Sequence, residues 1–251
     1  VNILLTGHKG FIGSSLLKAL RLNHTVTGID LVDGNDLLNC EFPNQEFDLI
    51  IHLAGRSGVR ESIKDPAAYW MNNVEASRRL FERYHNTRIL YASSSSAYEP
   101  DLNPYAASKS VLEELAERYP NTLGMRFHTV YSETPRKGMF FDKLFNGTLE
   151  YTTTHYRDFV HLYDVIDAIN ILIHYTHIKG TIDIGSGVPI KIQDVAPELP
   201  VRLNTPTERQ WTCANLEKMK ALGYKPKYSI EKYLTNQQKS NIINIITGEP
   251  A

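Results

Sequence analysis

Val1-Asn-Ile-Leu-Leu-Thr6, followed by Gly7-His-Lys-Gly10-Phe-Ile-Gly13, decides how this chain is read. Its first six residues form a short apolar run of the kind that makes a buried parallel strand. The run stops at a glycine, and helical periodicity follows from Ser14 to Leu22. The order is therefore strand, glycine loop, helix. Glycines at this spacing allow a tight turn, close approach of the backbone to a pyrophosphate, and close packing of helix on strand. The helix N-terminus adds free N–H groups and the positive end of a dipole. Gly7, Lys9, Gly10, Phe11, Ile12 and Gly13 are thus candidate contacts to the phosphates of a dinucleotide. Thr25 to Asp30 reads as the second strand and ends in an acid. A carboxylate at this place accepts hydrogen bonds from the adenosine ribose and repels a 2′-phosphate, which selects NAD over NADP. Asp36 and Leu37 are a second candidate contact, near the adenine.

Outward from this start, strands and helices alternate. Phe47 to Ala54 is a buried strand, and Gly55 to Lys64 a polar loop carrying Arg56 and Arg60. Asp65-Pro66 opens a long helix to about Tyr84, and Arg88 to Ser93 is a strand that runs into four serines, Ser93 to Ser96. A helix from Pro104 and a strand from Thr122 to Phe127 follow. The alternation predicts a parallel sheet with helices on both faces, whose ligands bind beyond the carboxyl ends of the strands. The glycine loop, Asp30, the Ala54–Arg60 loop, the serines and Tyr131 all fall at that edge. After Phe127 the pattern loosens. Val165 to Tyr175 reads as a helix and Gly180 to Ile184 as a strand, while about 129–158 and 186–235 read as a small C-terminal cap. The sheet domain is then 1–128 plus a returning segment at about 159–185, and 236–251 is a polar tail with a short apolar patch.

Tyr105-Ala-Ala-Ser-Lys109 opens the helix after Pro104. Residues four apart share a helix face, so the phenol and the ammonium lie on one side. A phenol with a pKa of about 10 is a poor base at neutral pH, and an adjacent cation favours the phenolate. Tyr105 and Lys109 are therefore candidates for general-base work.

Composition narrows the class. The chain has 251 residues, 42% hydrophobic and 22% charged, with a formal net charge of −1. That is a globular balance with enough length for a large core. It offers no basic excess for nucleic acid or a membrane surface. No apolar run approaches the roughly 18 residues of a membrane span, and the first residues lack the basic start of a secretory signal. Cys40 and Cys213 are far apart and lack metal-ligand spacing, so two reduced thiols and a cytoplasmic location are expected, with no metal.

Gly7/Gly10/Gly13, Asp30, His52-Leu-Ala-Gly55, Asn73, Ser93–Ser96, Tyr105/Lys109 and Arg157-Asp-Phe together resemble the extended short-chain dehydrogenases/reductases. The likeness is to their branch of nucleotide-sugar epimerases and dehydratases, over roughly residues 1–235. It implies an α/β, Rossmann-type doubly wound sheet that holds NAD, and a small C-terminal domain that holds a nucleoside-diphosphate sugar. Leu53, Ala54, Gly55, Asn73, Ser93 and Tyr131 join the implied cofactor site, with Tyr105 and Lys109 next to the nicotinamide. Ser94, carried over by position, orients the reacting hydroxyl.

Within the branch, Gly58-Val-Arg60, Tyr91 to Tyr98 and Arg126-Phe-His-Thr-Val-Tyr131 are similar to UDP-glucuronate 4-epimerases. That likeness assigns Thr129, Arg136 and the serines Ser95 and Ser96 to a sugar carboxylate, Arg60 to the substrate, and Arg157 to its diphosphate. The 4,6-dehydratases carry an Asp-Glu pair after the hydroxyl residue, and the decarboxylases a Glu; Ser95 and Ser96 stand there instead. The expectation is a C4 epimerase of UDP-glucuronate that works as a homodimer. The alternatives are a UDP-glucose or UDP-N-acetylglucosamine 4-epimerase, or a non-catalytic NAD-binding protein. Two departures stand out. The stretches from Asp30 to Phe47 and from Tyr98 to Tyr105 are short, so a helix and a strand reduce to a loop near Asp36. His128 replaces an aromatic or apolar residue, and either packs in the core or narrows the substrate site.

Overall fold

The structure is a computed structural model that describes residues 1–203 and 205–237. Six strands build the central sheet: β1 (Asn2–Thr6), β2 (Thr25–Ile29), β3 (Leu49–His52), β4 (Arg88–Ser94), β5 (Thr122–Phe127) and, after the small strands named below, β9 (Gly180–Ile184). All pair in parallel, in the order β2-β1-β3-β4-β5-β9. Successive strand residues point to opposite faces, and both faces are apolar. Ile3, Leu5, Leu49, Ile51 and Leu90 join one core. Leu4, Ile50, Ile89 and Tyr91 join the other. The first core is covered by α1 (Phe11–Leu20) and α7 (Leu162–His174). The second is covered by α4 (Ala76–Arg83) and α5 (Pro104–Ala116). This is a Rossmann-type, doubly wound sheet.

Between β2 and β3 the chain makes one 3₁₀ turn, Leu31–Asp33, and no strand or long helix. The expected reduction near Asp36 is what the structure has, and it leaves β2 at the edge of the sheet. The loop is held by α4 instead. Leu37 and Phe47 are buried beside Tyr84, whose hydroxyl donates to the Pro43 carbonyl at 3.1 Å, and Arg79 donates to the Leu37 carbonyl.

The long helix expected after Asp65 is segmented. It comprises α3 (Pro66–Trp70), a π turn at Met71–Glu75, and α4, and it is preceded by α2 (Val59–Lys64), one short helix within the stretch expected to be a polar loop. Asp65 caps α3 by accepting from the Ala68 N–H at 3.1 Å. Helix α7 begins at Leu162, three residues before the expected start, because the His161 ring caps it.

The remaining elements form the cap: β6 (Thr129–Tyr131), α6 (Phe140–Phe145), β7 (Thr152–Thr153), β8 (Tyr156–His161), β10 (Pro189–Lys191), α8 (Ile192–Val195), β11 (Val201–Arg202) and α9 (Glu217–Ala221). Strands β10, β8 and β6 make a second sheet. Tyr131, Phe141, Phe159 and Tyr233 are the aromatic core beside it. Most of the expected tail at 236–251 lies outside the described residues. No described helix is long and apolar enough to cross a membrane.

One buried polar chain ties β1 to the helical face. The Ser77 hydroxyl donates to the Asn73 carbonyl at 2.8 Å, so it can only accept from His52 Nε2, also at 2.8 Å. His52 Nδ1 is then the acceptor of the Thr6 hydroxyl at 2.7 Å. Burial, with Lys109 nearby, pushes the His52 ring down to about 3. Between pH 6.5 and that value the unfolded chain binds a proton that the folded chain refuses. Stability from this site is therefore complete above pH 6.5 and is lost as pH falls. About 2 kcal/mol should disappear between pH 6.5 and 5. Urea unfolding at the two pH values should show this loss in the wild type and not in His52→Gln. Equal losses in both would contradict it.

Candidate active site

A cavity of about 390 Å³ opens at the carboxyl ends of β1, β3, β4 and β5. One wall is the glycine loop. Gly7 has φ +71°, and a Cβ there would sit 2.6 Å from the Ala54 nitrogen. A Cβ on Gly13 would lie 2.0 Å from the Gly7 carbonyl oxygen. The turn can therefore close only with glycine at both positions. Helix α1 starts inside this motif, at Phe11, and Gly10 supplies no capping side chain. The first N–H groups of α1 thus have no side-chain acceptor where Gly10, Phe11, Ile12 and Gly13 line the cavity. An anionic diphosphate fits this cradle.

Asp30 follows β2, and its carboxylate accepts from the Lys9 N–H at 2.8 Å and the Val32 N–H at 3.0 Å. Lys9 contributes backbone here, since its ammonium pairs with Asp33. Leu53 and Gly55 line the cavity, and Ala54 packs behind it. Asp36 turns back to accept from the Leu38 N–H at 2.9 Å, and Leu37 is in the core. The structure brings neither side chain to the cavity. Asn73 sits in the π turn, where such irregularities often mark function. Its side chain is spent on the loop beside the cavity: Oδ1 accepts from the Arg56 N–H at 2.7 Å, and Nδ2 donates to the Arg56 carbonyl and the Ser108 hydroxyl. Tyr131 lines the cavity from within the aromatic core.

Ser94 ends β4, Tyr105 lies in the first turn of α5, and Lys109 one turn later; all three line the cavity. Asn103 fixes the start of α5 by accepting from the Ala106 N–H at 2.8 Å, ahead of Pro104. Burial raises the Tyr105 phenol above its usual range, while the Ser94 hydroxyl and the Arg136 guanidinium draw it back down. The Lys109 ammonium donates to the Ala92 carbonyl at 2.8 Å. Burial pushes Lys109 down to about 8, and the Glu113 carboxylate acts against that. Ser93 donates to Glu113 at 2.5 Å, so its hydroxyl is already engaged.

A second cavity of about 680 Å³ adjoins the first through Ser94, Phe127, His128 and Thr129. Ser95, Ser96, Arg60 and Arg157 line it. Arg60 and Arg157 meet one carboxylate, Glu208, at 3.2 and 3.6 Å. Arg209 donates to Glu99 at 2.7 Å and to the Ser95 carbonyl at 2.6 Å, fastening the cap to the serine run. Arg136 lines the first cavity, and its Nη1 donates to the Ser57 hydroxyl at 2.7 Å. The His128 side chain, at the junction of the two cavities, is fully buried with Nε2 3.6 Å from Asp183. Sequence reasoning missed Glu113, Glu208, Arg209 and Ser57. Only Glu113 carried a signal, its place four residues after Lys109 on the same face.

Residues 3–185 match the family model described as NAD dependent epimerase/dehydratase. The chain belongs to this family. Membership makes NAD its cofactor, in agreement with the glycine cradle and Asp30. An uncharacterized protein of Methanocaldococcus jannaschii, MJ1055, is 29% identical over 93% of this chain and 94% of its own. That alignment runs over 306 positions, more than the 251 residues here, so gaps in this chain absorb the difference. Among solved structures, the UDP-glucuronic acid 4-epimerase from Bacillus cereus, in complex with UDP-glucuronic acid and NAD, superposes with a TM-score of 0.82. It is 27% identical and covers 94% of this chain and 97% of that one. MoeE5, solved with UDP-glucuronic acid and NAD, gives 0.80 at 25% identity, over 96% of this chain and all of the other.

Proposed function

We propose that this epimerase/dehydratase family member inverts C4 of UDP-glucuronate through a transient 4-keto sugar, giving UDP-galacturonate. The observation that carries the reading is that Arg136 and Thr129 line the same cavity as Ser94, Tyr105 and Lys109. A guanidinium fork beside a hydroxyl suits a carboxylate. The likeness to the Bacillus enzyme and to MoeE5 supports it.

Tyr105 takes the proton of the sugar 4-hydroxyl while Ser94 orients that hydroxyl. NAD, when bound, supplies a hydride acceptor that can give the hydride back. Lys109 holds the nicotinamide ribose and keeps positive charge near the phenolate. The keto sugar turns within the joined cavities, and as C4 regains hydride on its other face Tyr105 gives the proton back to O4. As a β-keto acid it is prone to lose CO2, and Arg136, Thr129 and the serines hold the carboxylate against that. Arg157 and Arg60 bind the diphosphate. Ser95 and Ser96 provide no acid for eliminating water, which argues against a dehydratase. In this reading residues 1–128 and about 159–185 hold NAD, and about 129–158 and 186–235 hold the UDP-sugar. The same reading has the protein as a homodimer through the helices at 66–84 and 104–119. It places the chain in a reducing cytoplasm, where the unpaired Cys40 and Cys213 would persist.

Arg136→Met is expected to weaken binding of UDP-glucuronate, measured by calorimetry, about 100-fold, the loss of one charge-assisted contact, and to change UDP-glucose binding far less. Equal losses on both substrates would remove Arg136 from the carboxylate site.

A further inference from the structure

Helix α5 presents Tyr105, Lys109 and Glu113 at intervals of four, on the face turned to the sheet. Beneath Glu113 runs a polar row across three strands. Ser93 of β4 stands opposite Arg126 of β5, and Arg126 opposite Asp183 of β9. Glu113 joins this row. It accepts from the Ser93 hydroxyl at 2.5 Å and takes a two-pronged bond from Arg126, Nε at 2.8 Å and Nη2 at 2.6 Å. Arg126 lies 4.2 Å from the centre of the Tyr98 ring, whose hydroxyl donates to Asp183 at 3.0 Å. Ala92 and Ser93 are neighbours on β4, so Lys109 bonds to one residue and Glu113 to the next. The ammonium and the carboxylate, one helical turn apart on α5, are thereby anchored to successive residues of β4.

The ionisable groups around this pair come from every adjoining element. They are His52 on β3, Tyr91 on β4, Arg126 on β5, and Tyr105 on α5 itself. His52 is neutral, because burial forbids its charge, and burial likewise raises the Tyr91 phenol. Glu113 is the acid on the helix face that carries Lys109, and the other acid of the row, Asp183 on β9, stands beyond Arg126 and accepts from the Tyr98 hydroxyl. We propose that Glu113 is a positioning residue acting through Lys109: held by Ser93 and Arg126, its carboxylate is the counter-charge of the buried ammonium. Arg126 takes up part of that charge and so sets how strongly Glu113 acts. The inference rests on the reading of Lys109 as the ammonium of the site, and it deepens that reading.

The test is a direct titration, independent of turnover. The full chain is labelled with 13C-lysine, and the Lys109 Cε shift, assigned by its loss in Lys109→Arg, is followed against pH. The wild-type midpoint is expected at about 8. Glu113→Gln should lower it by about one unit or more. Arg126→Gln, which releases the carboxylate toward Lys109, should raise it. A purely structural role for the row would loosen the site alike in both variants and move both midpoints the same way. Opposite shifts support the proposal; shifts in one direction, or none, overturn it. If Glu113→Gln does not fold, Glu113→Asp decides: drawing the carboxylate back from the ammonium should lower the midpoint, and no change or a rise overturns the proposal. Because substrate is absent, failure of the epimerase reading would show in turnover and not in these shifts.

Discussion

Tyr105→Phe is expected to reduce turnover about a thousandfold while NAD still binds and the fold is unchanged. The size is that of losing a positioned proton acceptor. The variant keeps the ring, which packs edge-on against Tyr69 with centroids 6.1 Å apart, and deletes only the hydroxyl. Burial opposes ionisation of that hydroxyl, and Ser94 and Arg136 counter it. A phenol poised in this way has no role in holding the helix, whose start is secured by Asn103. Calorimetry should therefore give the same NAD affinity within about twofold, an effect of under 0.5 kcal/mol. Near-full activity in this variant would show that the base lies elsewhere.

The second large effect is on stability. Asp158 is fully buried on β8 and has no cationic partner within ion-pair distance among the described residues. Its Oδ1 accepts from the Ser186 N–H and hydroxyl, both at 2.7 Å. Oδ2 accepts from the Gly187 N–H at 2.8 Å and the Ala214 N–H at 2.9 Å. One carboxylate thus joins the cap strand, the turn after β9 and the segment before α9. Asp158→Ala would take the acceptor from four donors, the Ala214 N–H buried and the other three part-buried, and should cost roughly 3 kcal/mol. At 2–4 °C per kcal/mol for a chain of this size, the Tm should fall by roughly 10 °C. Asn offers no repair, because its amide N–H groups would face donors. A loss below about 1 kcal/mol would mean that the turn re-forms its bonds elsewhere.

The sheet was legible because its strands are buried on both faces, and unbroken apolar runs such as Ile3 to Leu5 announce that directly. The glycine loop, Asp30 and the Tyr105 helix were legible for a related reason: each needs a particular residue type at a particular step. Boundaries were less so. Helix α1 begins at Phe11 because the glycine motif itself supplies the N-terminus. Helix α7 begins at Leu162 because His161 caps it, a residue seldom used that way. The π turn at Met71–Glu75 has neither proline nor glycine to announce it. The inward fold of the shortened loop, with Leu37 buried and Asp36 accepting from the Leu38 N–H, has no local pattern to announce it. The Lys109 bond to the Ala92 carbonyl and the charge of Arg136 on Tyr105 were not legible, since helical spacing shows which residues share a face but not which partner a long side chain will find. Glu208 and Arg209 lie in an irregular stretch, over 100 residues from the Arg60 and Ser95 they meet, and no local pattern foretells such contacts.

The central claim is tested most directly by incubating the purified protein with UDP-glucuronate and, separately, with UDP-glucose, and resolving the sugar anomeric protons by NMR. The account predicts that UDP-galacturonate accumulates to an equilibrium mixture from the acid, while the neutral sugar stays unchanged. Conversion of UDP-glucose to its C4 epimer with UDP-glucuronate left untouched would contradict it.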